Sequence, residues 1–163
     1  MEKKSLIKYF FNNLEEVVAS GFIIITTSLV VLNVFLRYFM KTGLYWSEEV
    51  ATICFVWSVF IGSAACYKRH KHIGVDMLVK KLPQGLRNIV IIIVDIILIL
   101  LNGYITYIGI VYVSMSYNKL TPVLGISSVY VSSSLILGFL LMTIYSVKFL
   151  IQDIKSISRT KIV

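Results

Sequence analysis

The sequence predicts an all-α integral membrane protein with four transmembrane helices, and three observations lead there. Hydrophobic residues make up 58% of the 163-residue chain and its mean hydropathy is +0.86, far above the balance a soluble domain strikes between interior and surface. Four uncharged runs can each cross about 30 Å of hydrocarbon: Val17 to Leu36 (20 residues), Val50 to Tyr67 (18), Ile96 to Asn118 (23) and Leu120 to Val147 (28). Charged residues gather in the connections between those runs. Spans in lipid must satisfy their own backbone, so all four are read as helices, over approximately 15–38, 47–68, 87–117 and 124–150 of a single membrane domain, 1–163.

The first span is flanked by Lys3, Lys4, Lys8, Glu15 and Glu16, is too long for a signal-peptide core, and has no small-x-small cleavage pattern after it. It is expected to be retained. It ends in Asn33-Val34-Phe35-Leu36-Arg37-Tyr38, and a short loop leads to Tyr45-Trp46-Ser47-Glu48-Glu49. The two aromatics suit the membrane surface, Ser47 can cap the second helix, and Glu48 and Glu49 fall in its first turn, where the helix dipole favours negative charge. Adjacent carboxylates point about 100° apart on a helix, which allows one to face Arg37 across the hairpin while the other is free for a partner.

The second span ends in Lys68-Arg69-His70-Lys71-His72-Ile73-Gly74-Val75-Asp76. Beyond His72, Val75, Leu78, Val79 and Leu82 recur at helical spacing, Lys80 and Lys81 can reach headgroups, and Pro83 stops the run. This predicts a short interfacial amphipathic helix over about 75–82. The third span contains Asp95, the one ionisable residue placed inside the bilayer. Its distance from Arg87, roughly 12 Å of helical rise, favours pairing with a neighbouring helix over ion coupling. Small residues at four-residue spacing, Ser58, Gly62 and Cys66 in the second span and Ser134 and Gly138 in the fourth, mark faces where helices can approach closely.

Orientation follows from the basic residues. The N-terminal tail, the second loop and the C-terminal tail hold thirteen of the 16 Lys and Arg, leaving Arg37, Lys41 and Lys119 for the opposite side. The positive-inside rule then places both termini in the cytoplasm. The net charge of +8 reads as topology and contact with anionic membrane lipid, not as a nucleic-acid surface.

Several function classes are disfavoured. Cys54 and Cys66 lie about 18 Å apart along one helix, cannot bridge, and read as buried small apolar residues. His70 and His72 lack a third ligand, so no metal is expected; a membrane haem would need histidine inside the spans. Secondary transporters carry broken helices at the midplane in paired repeats, whereas Pro83 and Pro122 fall in connections. Small four-helix drug exporters carry a membrane-embedded glutamate in the first helix, and Val17 to Leu36 has no acid. No nucleophile, base and orienting group come together, so no enzyme is expected. A self-sufficient small channel or exporter remains the alternative, and it would make Asp95 essential.

The pattern Asn33-x-x-x-Arg37-Tyr38, Trp46-x-Glu48-Glu49, Gly62-Ser63-Ala64-Ala65, His72-Ile73-x-Val75-Asp76 and Thr121-Pro122-x-Leu124-Gly125-Ile126, with Tyr130 and Gly138, resembles the small membrane subunit of tripartite ATP-independent periplasmic (TRAP) transporters, the DctQ-like family. The chain departs from that pattern at Ser127, where proline is expected. The resemblance covers nearly the whole chain. It implies a scaffold that binds a large multi-spanning permease subunit, which holds the substrate and sodium sites, while a periplasmic binding protein delivers an organic anion such as a C4-dicarboxylate or sialic acid. No cofactor is implied for this chain itself. The membrane is then the bacterial inner membrane. Arg37, Trp46, Glu48 and Glu49 would organise the outer hairpin and help dock the binding protein, and His72 and Asp76 belong to the same set of partner-facing positions.

Overall fold

Long apolar runs form helices wherever backbone groups have no water to bond to. The structure, a computed structural model, describes residues 13–69 and 83–160. Its helices are α1 (Leu14–Phe39), α2 (Tyr45–Arg69), α3 (Gln84–Met115) and α4 (Val129–Thr160). All four are long and apolar enough to cross a membrane. The expected interfacial helix over 75–82, with His72 and Asp76, lies outside the described residues.

α1 starts with Glu15 and Glu16 in its first turn, where the free N–H groups favour negative charge. It stops where Met40 N–H reaches Leu36 O at 2.9 Å and Lys41 takes a left-handed conformation, φ 53°. Five residues then suffice to reverse the chain into α2, so the two helices pack antiparallel. Ser47 does not cap α2. The helix already begins at Tyr45, and the buried Ser47 hydroxyl donates back to Leu44 O at 2.7 Å.

α3 and α4 are joined by a tight turn. Thr121 N–H donates to Ile126 O at 2.8 Å, Ser128 N–H to Lys119 O at 2.8 Å, and Gly125 closes the loop at φ +64°, a conformation glycine adopts without a side-chain clash. This turn occupies 119–128, and α4 begins at Val129, where a start near 124 was expected. Ser127 uses its hydroxyl twice: it donates to Tyr117 O at 2.9 Å and accepts Val129 N–H at 3.4 Å. The serine hydroxyl thus ties the start of α4 back to the end of α3.

Among the described residues the adjacent helix pairs are α1–α2, α2–α4 and α4–α3. The order across the molecule is therefore α1–α2–α4–α3, an open row in which the first and third helices are edges, and not a closed four-helix bundle. Burial follows this order. α1 buries Ala19 alone, whereas α2 buries Ser47, Ala51, Cys54, Ile61, Ala64 and Ala65. Cys66, expected to be buried, is exposed.

Small residues set the spacing of the row. A Cβ at Gly138 would lie 2.9 Å from Phe60 Cβ and 3.0 Å from Phe60 O, so α4 meets α2 backbone to backbone. A Cβ at Gly109 would lie 2.6 Å from Leu135 Cδ2, bringing α3 close to α4. Gly62 faces Ala19 across α1–α2 at an ordinary 3.6 Å. Polar side chains then tie neighbours together: Ser58 Oγ donates to Ala19 O at 2.9 Å, Trp57 Nε1 to Tyr130 O at 3.0 Å, and Tyr67 and Ser146 share a hydrogen bond at 2.7 Å, with Asn102 Nδ2 3.4 Å from the same Ser146 oxygen. Each such bond inside a membrane contributes roughly 0.6 to 2 kcal/mol.

Candidate partner-facing surface

At the loop end of the α1–α2 hairpin the two carboxylates of Glu48 and Glu49 part company. Glu49 is half-buried, and its Oε2 accepts the backbone N–H of Val123 at 2.8 Å and of Leu124 at 3.0 Å, with the Thr121 side chain facing the same carboxylate. A turn has backbone donors that no helix or sheet satisfies, and a carboxylate is the acceptor best suited to two of them at once. Glu49 thereby fastens the α3–α4 turn to the start of α2, across 74 residues of sequence.

Glu48 turns toward α1. Its Oε1 lies 3.4 Å from Asn33 Nδ2, while Asn33 Oδ1 accepts Leu44 N–H at 2.9 Å, so one asparagine organises both sides of the hairpin. Arg37 does not pair with either glutamate: the ion pairs among the described residues are Lys68–Glu15 and Arg69–Glu16. Arg37 instead lines a cavity of about 130 Å³ with Val30, Asn33, Val34, Ser47 and Glu48. Trp46 and Tyr45 are exposed beside it, as side chains of the membrane surface are.

The opposite end carries a second clasp that the sequence reading did not assemble. Glu15 accepts from Lys68 Nζ at 2.9 Å and from the Tyr145 hydroxyl, Glu16 pairs with Arg69, and the Nζ atoms of Lys68 and Lys148 stand 5.6 and 5.3 Å from the Tyr145 ring centre. α1, α2 and α4 are held together there through one buried phenol. The signal was available: acids opening one span and bases closing the next are brought level by a tight antiparallel hairpin of near-equal helices.

Asp95 is fully buried. It sits seven and eleven residues before the buried Asn102 and Thr106, on the same face of α3, and is engaged by interactions within the fold. No group of three or more His, Cys, Asp or Glu suited to a metal occurs among the described residues.

What the arrangement offers a partner is surface. The edge helices expose large apolar side chains along their length, including Ile24 and Val31 on α1 and Leu100, Tyr104 and Tyr107 on α3, and polar contacts hold the row together from within. Such a row can be covered by lipid or by another membrane protein.

Comparison with known proteins identifies the architecture. Residues 26–156 match the family described as tripartite ATP-independent periplasmic transporters, DctQ component. A Haemophilus influenzae protein named as a TRAP transporter small permease is 36% identical over 65% of this chain and 64% of its own length, so the match spans just under two thirds of that relative. The sialic acid TRAP transporter small permease SiaQ of Vibrio cholerae is 27% identical over 85% of this chain and 79% of that protein. The sialic acid TRAP transporter permease SiaT of Haemophilus influenzae is 25% identical over 48% of this chain but only 13% of its own, much longer, length. With the matched region running through most of the chain and all four spans, this protein belongs to the DctQ component family of TRAP transporters, a family of membrane transport subunits and not of enzymes.

Proposed function

We propose that this chain is the small membrane subunit of a sodium-coupled TRAP transporter, bracing a large multi-spanning permease subunit in the bacterial inner membrane. The observation that carries the reading is the match to a short stretch of a far longer permease: a segment like this one is there part of a single chain with the rest. Two edge helices with apolar outer faces support it, since a brace needs membrane-facing area more than it needs a pore. Sodium and the transported organic anion, a C4-dicarboxylate, sialic acid or another carboxylate, bind the large subunit, and this chain holds no cofactor.

With both termini cytoplasmic, the hairpin bearing Arg37, Trp46, Glu48 and Glu49 faces the side on which a periplasmic binding protein arrives. Glu48 and Glu49 then shape the rim through the contacts described above, and exposed Trp46 is the side chain available to a docking protein. His72 and Asp76 lie on the cytoplasmic side with the basic loop.

The test is reconstituted uptake in vesicles carrying an inward sodium gradient. The chain with its large subunit and binding protein is expected to accumulate the anion, and the chain alone to transport nothing. Transport by this chain alone, abolished by Asp95→Asn, would replace the brace with a self-sufficient small carrier.

A further inference from the structure

The cavity at the α1–α2 hairpin is built from unlike parts. Arg37 and Glu48 both line it, yet no ion pair forms between them, so two opposite charges face one space without neutralising each other. Asn33 is already engaged on both sides, its oxygen accepting Leu44 N–H and its amide nitrogen facing Glu48, and no hydrogen bond joins it to Arg37. Among the described residues the guanidinium has no protein acceptor. Val34 and Val30, each about half exposed, line it along α1 on the side before Arg37. Val30 lies seven residues before Arg37, roughly 10 Å deeper along the helix. One small cavity therefore runs from a cation and an anion at the membrane surface to aliphatic side chains at hydrocarbon depth.

We infer that this cavity is a binding site for a zwitterionic phospholipid carrying a primary ammonium, a phosphatidylethanolamine. The phosphate meets Arg37, whose planar fork matches two phosphate oxygens. The ammonium, three donors on a small cation, meets Glu48, and an acyl chain follows Val34 and Val30 down the side of α1. A cavity of about 130 Å³ takes the volume of roughly four waters, the scale of one headgroup. A purely anionic lipid would leave Glu48 facing a phosphate, and a choline headgroup brings no N–H donor. The carboxylate beside the guanidinium sets the selectivity. The inference stands on this chain alone and does not depend on the brace.

The test is lipid binding by the full-length chain, stripped of lipid in mild detergent and titrated with phosphatidylethanolamine, phosphatidylglycerol or phosphatidylcholine of identical acyl chains, read by native mass spectrometry. Phosphatidylethanolamine is expected to bind about tenfold more tightly than the other two. Arg37→Gln should remove that preference, and Glu48→Gln should move it to phosphatidylglycerol, while Lys119→Gln, a basic residue outside the cavity, leaves it unchanged. Val34→Trp, which fills the cavity and keeps both charges, should also abolish the preference, which guards against misfolding of the charge variants. Soluble phosphoethanolamine, with the charges but no chain, is expected not to compete. Equal binding of the three lipids, a preference that survives both charge variants, or full competition by phosphoethanolamine would overturn the assignment.

Discussion

Replacing Glu49 with alanine is expected to release the α3–α4 turn from α2. Two backbone donors, Val123 and Leu124 N–H, lose a shared carboxylate at 2.8 and 3.0 Å, and no other acceptor is bonded to them among the described residues. The contact lies at the membrane surface, where water can take up the freed donors. The cost therefore appears as local opening more than as global unfolding. Hydrogen exchange at Val123 and Leu124 should quicken on the order of tenfold or more, while the amides of α1 stay protected. Glu48→Ala, one residue away, should leave both turn amides unchanged, since Glu48 faces Asn33. Equal effects of the two substitutions would show that the pair acts only through its charge at the helix start.

A second large effect is expected at the centre of the row. α2–α4 is the packing contact that joins the two helical hairpins, and at Gly138 even one added carbon would press on Phe60 backbone, which cannot swing aside as a side-chain end can. Gly138→Leu should destabilise the chain by about 3 kcal/mol or more, the upper range for overpacking a close contact. Thermal unfolding in detergent measures it. Gly103→Leu provides the contrast, because a Cβ there meets nothing within 4 Å, and the melting temperature of the isolated chain should change little. If Gly103→Leu were as damaging as Gly138→Leu, helix entropy or lipid contact, and not the α2–α4 approach, would set stability.

The four spans were legible because hydrocarbon admits few solutions: an uncharged run of about twenty residues has to be a helix, and its ends show where charge resumes. The motifs at those ends carried the family. The order of the helices was not legible. Gly62 and Gly138 announce close approach by the same spacing, yet one faces α1 and the other faces α2, and nothing in a small residue names its neighbour. Glu49 shows a different limit. Local reasoning about dipoles and caps accounted for its place in a first turn, but its partners are turn amides more than seventy residues away. Arg37 was expected to face a glutamate across the hairpin; Asn33 took that place, because an amide offers a donor to Glu48 and an acceptor to Leu44 at once. Tyr145 was hidden for the opposite reason: a tyrosine near the end of a span reads as one more interface aromatic, while here its hydroxyl is drawn inward by Glu15.

The most direct measurement is to express this chain with an affinity tag together with a large multi-spanning TRAP permease from the same operon and purify in mild detergent. The account predicts that the large subunit co-purifies at one copy per tagged chain and stays bound through size-exclusion chromatography. A stable, folded chain that elutes without it would contradict the brace.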